Sequence, residues 1–127
     1  MNNNFFEALK RNPIIASVRT EEEVDRAIKS KAEAVFIIHI DMNHLIEQVR
    51  KIKKAGKLVF IHVDLIPGFS SSPLALEYIY KLTKPDGILT TKKSIINKAK
   101  SLNLISILRV FVIDSPTISS CSKLIKE

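Results

Sequence analysis

Residues 57–68 carry the pattern that decides the fold: Lys57-Leu-Val-Phe-Ile-His-Val-Asp-Leu-Ile-Pro-Gly68. The stretch begins as an apolar strand, gains polar side chains at His62 and Asp64, and ends in a proline–glycine turn. Successive side chains of a strand point to opposite faces. One face is purely aliphatic, which suits packing under helices, and comprises Val59, Ile61, Val63 and Leu65. The other face is predicted to line the interior of a barrel and comprises Leu58, Phe60, His62 and Asp64.

The rest of the chain alternates strands and helices around this stretch. Residues that start helices follow the strands: Thr20 with Glu23 as a capping box, Asp41, and Ser72 before a proline. The other predicted strands are Ile14–Val18, Ala34–Ile38, Ile88–Thr90 and Leu104–Val112, and a last helix is predicted from Ser115 to Ile125. Five successive βα units require right-handed crossovers and a mostly parallel sheet.

Two α/β architectures accept five such units: an open, doubly wound sheet and the first five units of a TIM (β/α)8-type barrel. A doubly wound nucleotide-binding fold usually has a glycine-rich turn after its first strand, but Ser17-Val-Arg-Thr20 contains no glycine. Every predicted strand instead ends in polar or charged residues, as strands do at the mouth of a barrel. We therefore expect one domain over residues 1–127, built as an incomplete barrel.

The composition is that of a globular domain with a basic surface. The chain has 127 residues, of which 46% are hydrophobic, and a formal net charge of +7, which does not fit a disordered tail. The single cysteine, Cys121, excludes a disulfide framework or a cysteine-based zinc site within one chain. No apolar run reaches the ~20 residues of a membrane span, and the first residues do not resemble a secretory signal. A cytoplasmic location is therefore expected.

The strand ends supply the candidate ligand-binding residues. Side chains of the second and fifth predicted strands that are expected to face the interior are Val35, Ile37 and His39, and Ile105, Ile107 and Arg109. The residues predicted to line the barrel mouth are Arg19, His39, His62, Asp64, Thr90, Thr91 and Arg109. Two arginines and a histidine in one bowl suit a phosphate or carboxylate ligand. The alternative is an arginine–aspartate ion pair that fills the barrel interior.

A catalytic interpretation of the mouth stays open, because His62 or Asp64 could transfer protons. The chain shows neither a nucleophile elbow nor a glycine loop that cradles phosphate. A histidine and an aspartate alone are too few ligands for a metal site. Neither a metal nor a cofactor is therefore predicted.

Lysines cluster on two of the predicted helices. Such clusters are commonly solvated helix faces, and the alternative is a surface that attracts nucleic acid or a small anion. The candidate RNA-binding residues are Lys51, Lys53, Lys54, Lys57, Lys92, Lys93, Lys98 and Lys100. Charge alone does not choose between the two interpretations.

Several segments are distinctive in sequence: Asn12–Arg19, His62–Gly68, Lys84–Lys92 with Ile95–Lys100, and Arg109–Asp114. In this order they resemble the glycerol uptake operon antiterminator family, bacterial regulators that respond to glycerol-3-phosphate. The resemblance extends over essentially the whole chain from about Phe5 onward. It is carried by the ordered set of segments, since each segment alone is only moderately specific.

The resemblance implies a (β/α)8-type barrel and a regulator rather than an enzyme. It implies that glycerol-3-phosphate binding leads the protein to act on the leader mRNA of glycerol-utilisation genes, so that RNA polymerase passes a terminator. The positions that carry over from the family pattern are Arg19, His62, Asp64, Thr91, Lys92, Arg109 and Asp114. Family members continue through three further βα units, so we expect this chain to be a fragment or a shortened form. Oligomerisation or a missing carboxyl-terminal part would cover the strand edges that are then exposed.

The leading hypothesis is thus a glycerol-3-phosphate-responsive, RNA-binding antiterminator. The alternative is a TIM-barrel enzyme, an epimerase or lyase acting on a sugar phosphate, with His62 or Asp64 as its acid or base. A third interpretation is a stable α/β subunit whose polar mouth is only structural.

Overall fold

The structure, a computed structural model, describes residues 4–110. Its helices are α1 (Asn4–Arg11), α2 (Glu21–Lys29), α3 (Met42–Lys54), α4 (Pro73–Thr83) and α5 (Lys93–Ser101). Its strands are β1 (Ile15–Val18), β2 (Ala34–Ile37), β3 (Leu58–His62), β4 (Gly87–Thr90) and β5 (Ile105–Leu108), and a 3-10 turn spans Val63–Leu65. The predicted last helix with Cys121, and Asp114, lie outside the described residues. None of the described helices is long and apolar enough to cross a bilayer.

The predicted helix starts are confirmed by their hydrogen bonds. Thr20 Oγ1 accepts the N–H of Glu23 at 3.1 Å, and the Glu23 carboxylate accepts the N–H of Arg19 at 2.7 Å. Asp41 caps α3 and Ser72 caps α4 in the same way, each accepting an N–H three residues on. These caps satisfy amides that have no partner within their helix, and they set where each strand-to-helix loop ends.

The five strands form one parallel sheet in the order β1-β2-β3-β4-β5. A doubly wound sheet reverses its strand order at a switch point, and residues 4–110 show no such reversal. The structure therefore contradicts the doubly wound alternative and confirms an α/β fold with a parallel sheet. Closure of these strands into a (β/α)8-type barrel stays a prediction.

Helices α2 to α5 cover one face of the sheet. Their buried residues Val24, Leu45, Leu76 and Ile95 share a single core with Val59 and Ile61 of β3. The opposite face carries a second cluster built around Phe60, with Leu58, Leu89, Ile105 and Ile107. The predicted faces are thereby confirmed within β3 (Leu58–His62) and for the isoleucines of β5. The predicted continuation of the third strand to Leu65 was wrong, because Val63–Leu65 form a 3-10 turn and Leu65 is not part of the helix-side core.

The predicted facing of β2 was wrong. Val35 and Ile37 pack in the helix-side core, whereas Phe36 faces the other way and its ring lies 5.2 Å from that of Phe60. All four residues of Ala34–Ile37 are apolar. A parallel strand that is buried on both faces gives no polar–apolar alternation from which to read its orientation.

Helix α1 was not predicted. It places Phe5 4.7 Å from the ring of Phe60, and an Arg11–Glu33 ion pair of 2.7 Å ties its end to the residue before β2. The helix thus covers the inner face at the amino-terminal ends of the strands. The helical spacing of Phe5, Ala8 and Leu9 was a readable signal for it.

Gly87 begins β4 beneath the buried ring of Phe60. A Cβ at Gly87 would lie 2.5 Å from the carbonyl oxygen of Ile105 and 2.5 Å from Cε2 of Phe60. We expect Gly87→Ala to lower the free energy of unfolding by about 1–3 kcal/mol, because the ring and the neighbouring strand must both move. Urea denaturation measures this change. In a Phe60→Leu background the cost should be smaller but not zero, since the backbone contact persists, and equal stability of Gly87→Ala and the parent chain would contradict the packing.

Candidate functional site

His62 is the last residue of β3 and lies at the carboxyl-terminal edge of the inner face. The side chain is buried, with 2% of its surface exposed, and β3 pairing sets it beside Leu89 of β4. Its Nε2 lies 3.2 Å from Nη1 of Arg109, which follows β5. A guanidinium can only donate, so Nε2 is the acceptor and the ring proton resides on Nδ1.

The Nδ1 atom of His62 is buried and has no hydrogen-bond partner among residues 4–110. Burial lowers the pKa of His62, the Asp64 charge opposes this, and the Arg109 charge adds to the lowering. The imidazole is therefore neutral at neutral pH, with one N–H available for an acceptor. Buried donors in proteins are nearly always paired, so this N–H is a feature a bound ligand could satisfy.

Asp64 lies in the 3-10 turn after β3, and both of its carboxylate oxygens are occupied. Oδ1 accepts the hydroxyls of Ser71 at 3.0 Å and Thr90 at 2.8 Å. Oδ2 accepts the backbone N–H of Thr91 at 2.6 Å and its hydroxyl at 2.8 Å. Asp64 thus joins the loop after β3 to the loop after β4.

Burial raises the pKa of Asp64, but the hydrogen bonds from Thr91, Thr90 and Ser71 outweigh it, so the pKa lies below its ordinary value. The carboxylate is ionised at neutral pH and its lone pairs are engaged. Lys92 reinforces the same junction, because its Nζ donates to the carbonyl of Ser71 at 3.0 Å and its N–H donates to Thr90 Oγ1 at 3.1 Å.

Sequence reasoning missed Ser71, and it placed Lys92 in the RNA-binding set and among the positions that match the family pattern, but not among the residues of the mouth. The polar run Ser70-Ser-Ser-Pro73 marked a loop, but no local signal showed which hydroxyl would return to Asp64. The structure therefore adds two residues to the junction between the loops.

The two remaining predicted mouth residues, Arg19 and His39, lie in a neighbouring cleft of about 280 Å³. The cleft is lined by Arg19, Thr20, Glu21, His39, Ile40, Asp41 and His44, and contains neither His62 nor Arg109. The structure thus brings five of the seven predicted residues together and places two beside β1 and β2.

His44 closes the wall of this cleft. Its Nδ1 lies 2.9 Å from Asp41 and its Nε2 lies 3.8 Å from Glu21. The Asp41 carboxylate, followed by Glu21 and Glu47, raises the pKa of His44. Within residues 4–110 no group of three or more His, Cys, Asp or Glu side chains is placed to hold a metal ion.

The predicted RNA-binding lysines are distributed over several sites. Lys51 pairs with Asp25 at 2.6 Å and Lys98 pairs with Glu77 at 3.0 Å, while Lys57 donates to the carbonyl of Ser30 at 2.9 Å. Lys92 belongs to the Asp64 junction, and Lys93 and Lys100 lie on α5. Lys53 and Lys54 line a groove beside the end of α4.

The sequence of this chain matches a family of known proteins. Residues 14–127 match the family model described as glycerol-3-phosphate responsive antiterminator. The chain is 32% identical over 119 residues to a protein of Escherichia coli (strain K12) described as uncharacterized protein YgcP, covering 94% of this chain and 62% of that protein.

Two crystal structures share the fold. One is the glycerol uptake operon antiterminator regulatory protein from Listeria monocytogenes, with a TM-score of 0.84 and 25% identity over 91% of this chain and 63% of that one. The other is a glycerol uptake operon antiterminator-related protein from Thermotoga maritima, with a TM-score of 0.79 and 25% identity over 88% and 63%. This chain spans less than two thirds of the length of each relative. The chain belongs to the glycerol-3-phosphate responsive antiterminator family.

Proposed function

We propose that this chain binds glycerol-3-phosphate at the carboxyl-terminal edge of its sheet and, in response, binds the leader mRNA of glycerol-uptake genes. In this proposal it is a cytoplasmic regulator without a cofactor, and RNA polymerase passes a terminator when the complex forms. Support comes from the family model and from the Listeria protein, whose name states the antiterminator role. A homo-oligomer remains part of the proposal, since β1 and β5 are the edges of the described sheet.

The contact between Arg109 and His62 is the observation that carries the ligand-binding part. A guanidinium is suited to phosphate oxygens, and the unpaired Nδ1–H of His62 is suited to a hydroxyl or a phosphate oxygen. Thr91 would contribute at the rim, with Asp64 and Thr90 holding its loop in position. Arg19 and His39 complete the proposed ligand-binding set from the neighbouring cleft.

No contact in the described structure favours the enzyme alternative. A general base needs a lone pair within reach of a substrate proton. The four hydrogen bonds to Asp64 occupy its oxygens, and Nε2 of His62 accepts from Arg109. The lone pairs that either group would need as a general base are thus already engaged in holding the site.

A gel-shift titration with a structured glycerol-operon leader RNA tests the proposal. We expect glycerol-3-phosphate to increase the RNA affinity of the chain, while equal concentrations of glycerol or inorganic phosphate do not. Calorimetry with glycerol-3-phosphate alone measures the ligand step separately. RNA affinity that is unchanged by glycerol-3-phosphate would contradict the proposal.

A further inference from the structure

A groove between the ends of α3 and α4 concentrates positive charge outside the rim. It encloses about 480 Å³ and is lined by Ile46, Arg50, Lys53, Lys54, Leu82, Thr83 and Lys84. Four of these seven residues are cationic and none is acidic. Lys53 and Lys54 belong to the predicted RNA-binding set, whereas Arg50 and Lys84 do not.

Cations elsewhere on the helix layer are neutralised by carboxylates. Lys51 pairs with Asp25 and Lys98 pairs with Glu77. Among residues 4–110, Arg50 and Lys54 have no carboxylate within ion-pair distance. Because no lining residue offsets the charge, the groove keeps a positive potential that attracts anions.

Two of the groove cations are held in place by the fold. Nζ of Lys53 donates to the carbonyl of Lys84, the residue that caps the end of α4 in a left-handed conformation with φ of 49°. Nζ of Lys84 lies 4.5 Å over the ring of Tyr80, a cation–π arrangement. These contacts restrain the positions of two charges, so less side-chain entropy is lost when an anion binds.

The exposed face of α4 adds an aromatic ring beside the charges. Tyr78 is 60% exposed and lies one helical turn before Leu82, which is 49% exposed and lines the groove. Cations along a groove beside an exposed aromatic ring are the combination that single-stranded nucleic acids use, with phosphates on the cations and a base on the ring. An acidic polypeptide would use the cations but has no base to stack.

We propose that the groove between α3 and α4 binds the phosphodiester backbone of single-stranded RNA, with Tyr78 stacking on a base. The choice of RNA as the partner rests on the proposed function, whereas the location rests on the unpaired cations. The groove contains none of the proposed ligand-binding residues, so binding of RNA and of the small ligand can be disabled separately.

Fluorescence anisotropy with a labelled single-stranded oligouridylate measures this binding directly. We expect Arg50→Gln with Lys54→Gln to weaken binding about tenfold at 0.1 M salt and to reduce the slope of log affinity against log salt by about 1.4, two phosphate contacts at about 0.7 each. The matched control, Lys10→Gln with Lys29→Gln, removes the same charge from α1 and α2 outside the groove. The control should retain most of the affinity and of the slope.

Three outcomes overturn the proposal: no oligouridylate binding by the parent chain, equal losses in the two double variants, or polyglutamate binding as tight as RNA with no effect of Tyr78→Leu. The first two outcomes would show that the groove is not a specific RNA-binding site. The third would show that the groove binds an acidic polypeptide instead. A loss of RNA affinity of about fivefold in Tyr78→Leu supports stacking. Failure of the proposed function is distinct, because calorimetry would then show no glycerol-3-phosphate binding even if the groove binds oligouridylate.

Discussion

Replacing Asp64 with asparagine is expected to lower the free energy of unfolding by about 2 kcal/mol at neutral pH, from hydrogen bonds to a charged acceptor. An asparagine side chain keeps one acceptor oxygen for Ser71 and Thr90, but its amide group then faces the backbone N–H of Thr91, which can only donate and loses its acceptor. Thr90 is fully buried, so its hydroxyl cannot turn to water. Urea denaturation of both chains measures the difference.

The pH dependence of that difference identifies its cause. The pKa of Asp64 lies below its ordinary value of 3.8 in the folded chain. The ionised Asp64 carboxylate therefore contributes its full stabilisation of the fold above the ordinary pKa, and this contribution is lost as pH falls through the lower pKa of the folded chain. The gap between the parent chain and Asp64→Asn should be constant near neutral pH and should shrink below about pH 4.

Asp25→Asn is the matched control. It removes an exposed carboxylate whose 2.6 Å ion pair with Lys51 belongs to a class that contributes little stability. Its effect should be much smaller than that of Asp64→Asn. Equal effects of the two substitutions would show that the four hydrogen bonds to Asp64 do not tie the rim loops together.

Residues could be located from sequence where the two faces of their strand differ chemically. β3 has one aliphatic face and one face that ends in polar groups, so its orientation was readable and His62 is indeed on the inner face beside Phe60. The helix caps at Thr20, Asp41 and Ser72 were readable because a cap is a local hydrogen bond.

What escaped sequence reasoning depends on contacts across the sheet. The sequence of β2 is entirely apolar and does not indicate which face points inward. In the structure Val35 and Ile37 face the helices, opposite to the prediction. Ser71 meets Asp64 only because the loop after β3 folds back. The lysine clusters looked continuous in sequence, but carboxylates on neighbouring helices neutralise Lys51 and Lys98. Only the tertiary structure shows which cations remain unpaired.

The order of the sheet also bears on the proposed ligand site. Side chains at matching positions of neighbouring parallel strands share a face, so His62 of β3, Leu89 of β4 and Ile107 of β5 form one row. Arg109 lies two residues beyond Ile107, on the rim side of that row. Its guanidinium therefore reaches back from β5 to Nε2 of His62. A ligand at this edge would meet Arg109 before it meets the buried imidazole.

Replacing Arg109 with glutamine is accordingly expected to weaken glycerol-3-phosphate binding by about tenfold to a hundredfold, the loss of a charge-assisted hydrogen bond to phosphate. Arg109→Lys should recover only part of the affinity, because an ammonium keeps the charge but not the planar pair of donors. Calorimetry measures both affinities. Arg50→Gln removes an equal charge from the groove between α3 and α4 and should leave this affinity unchanged.

The pKa of His62 is a second quantity that Arg109→Gln should change, and its measurement does not require the ligand. The Arg109 charge is one of the causes that lower the pKa of His62, after burial, so Arg109→Gln should raise that pKa. An NMR titration of the ring follows the change. If the pKa of His62 rises but glycerol-3-phosphate affinity is unchanged, then Arg109 contacts His62 without contacting the ligand, and the phosphate must bind elsewhere on the rim.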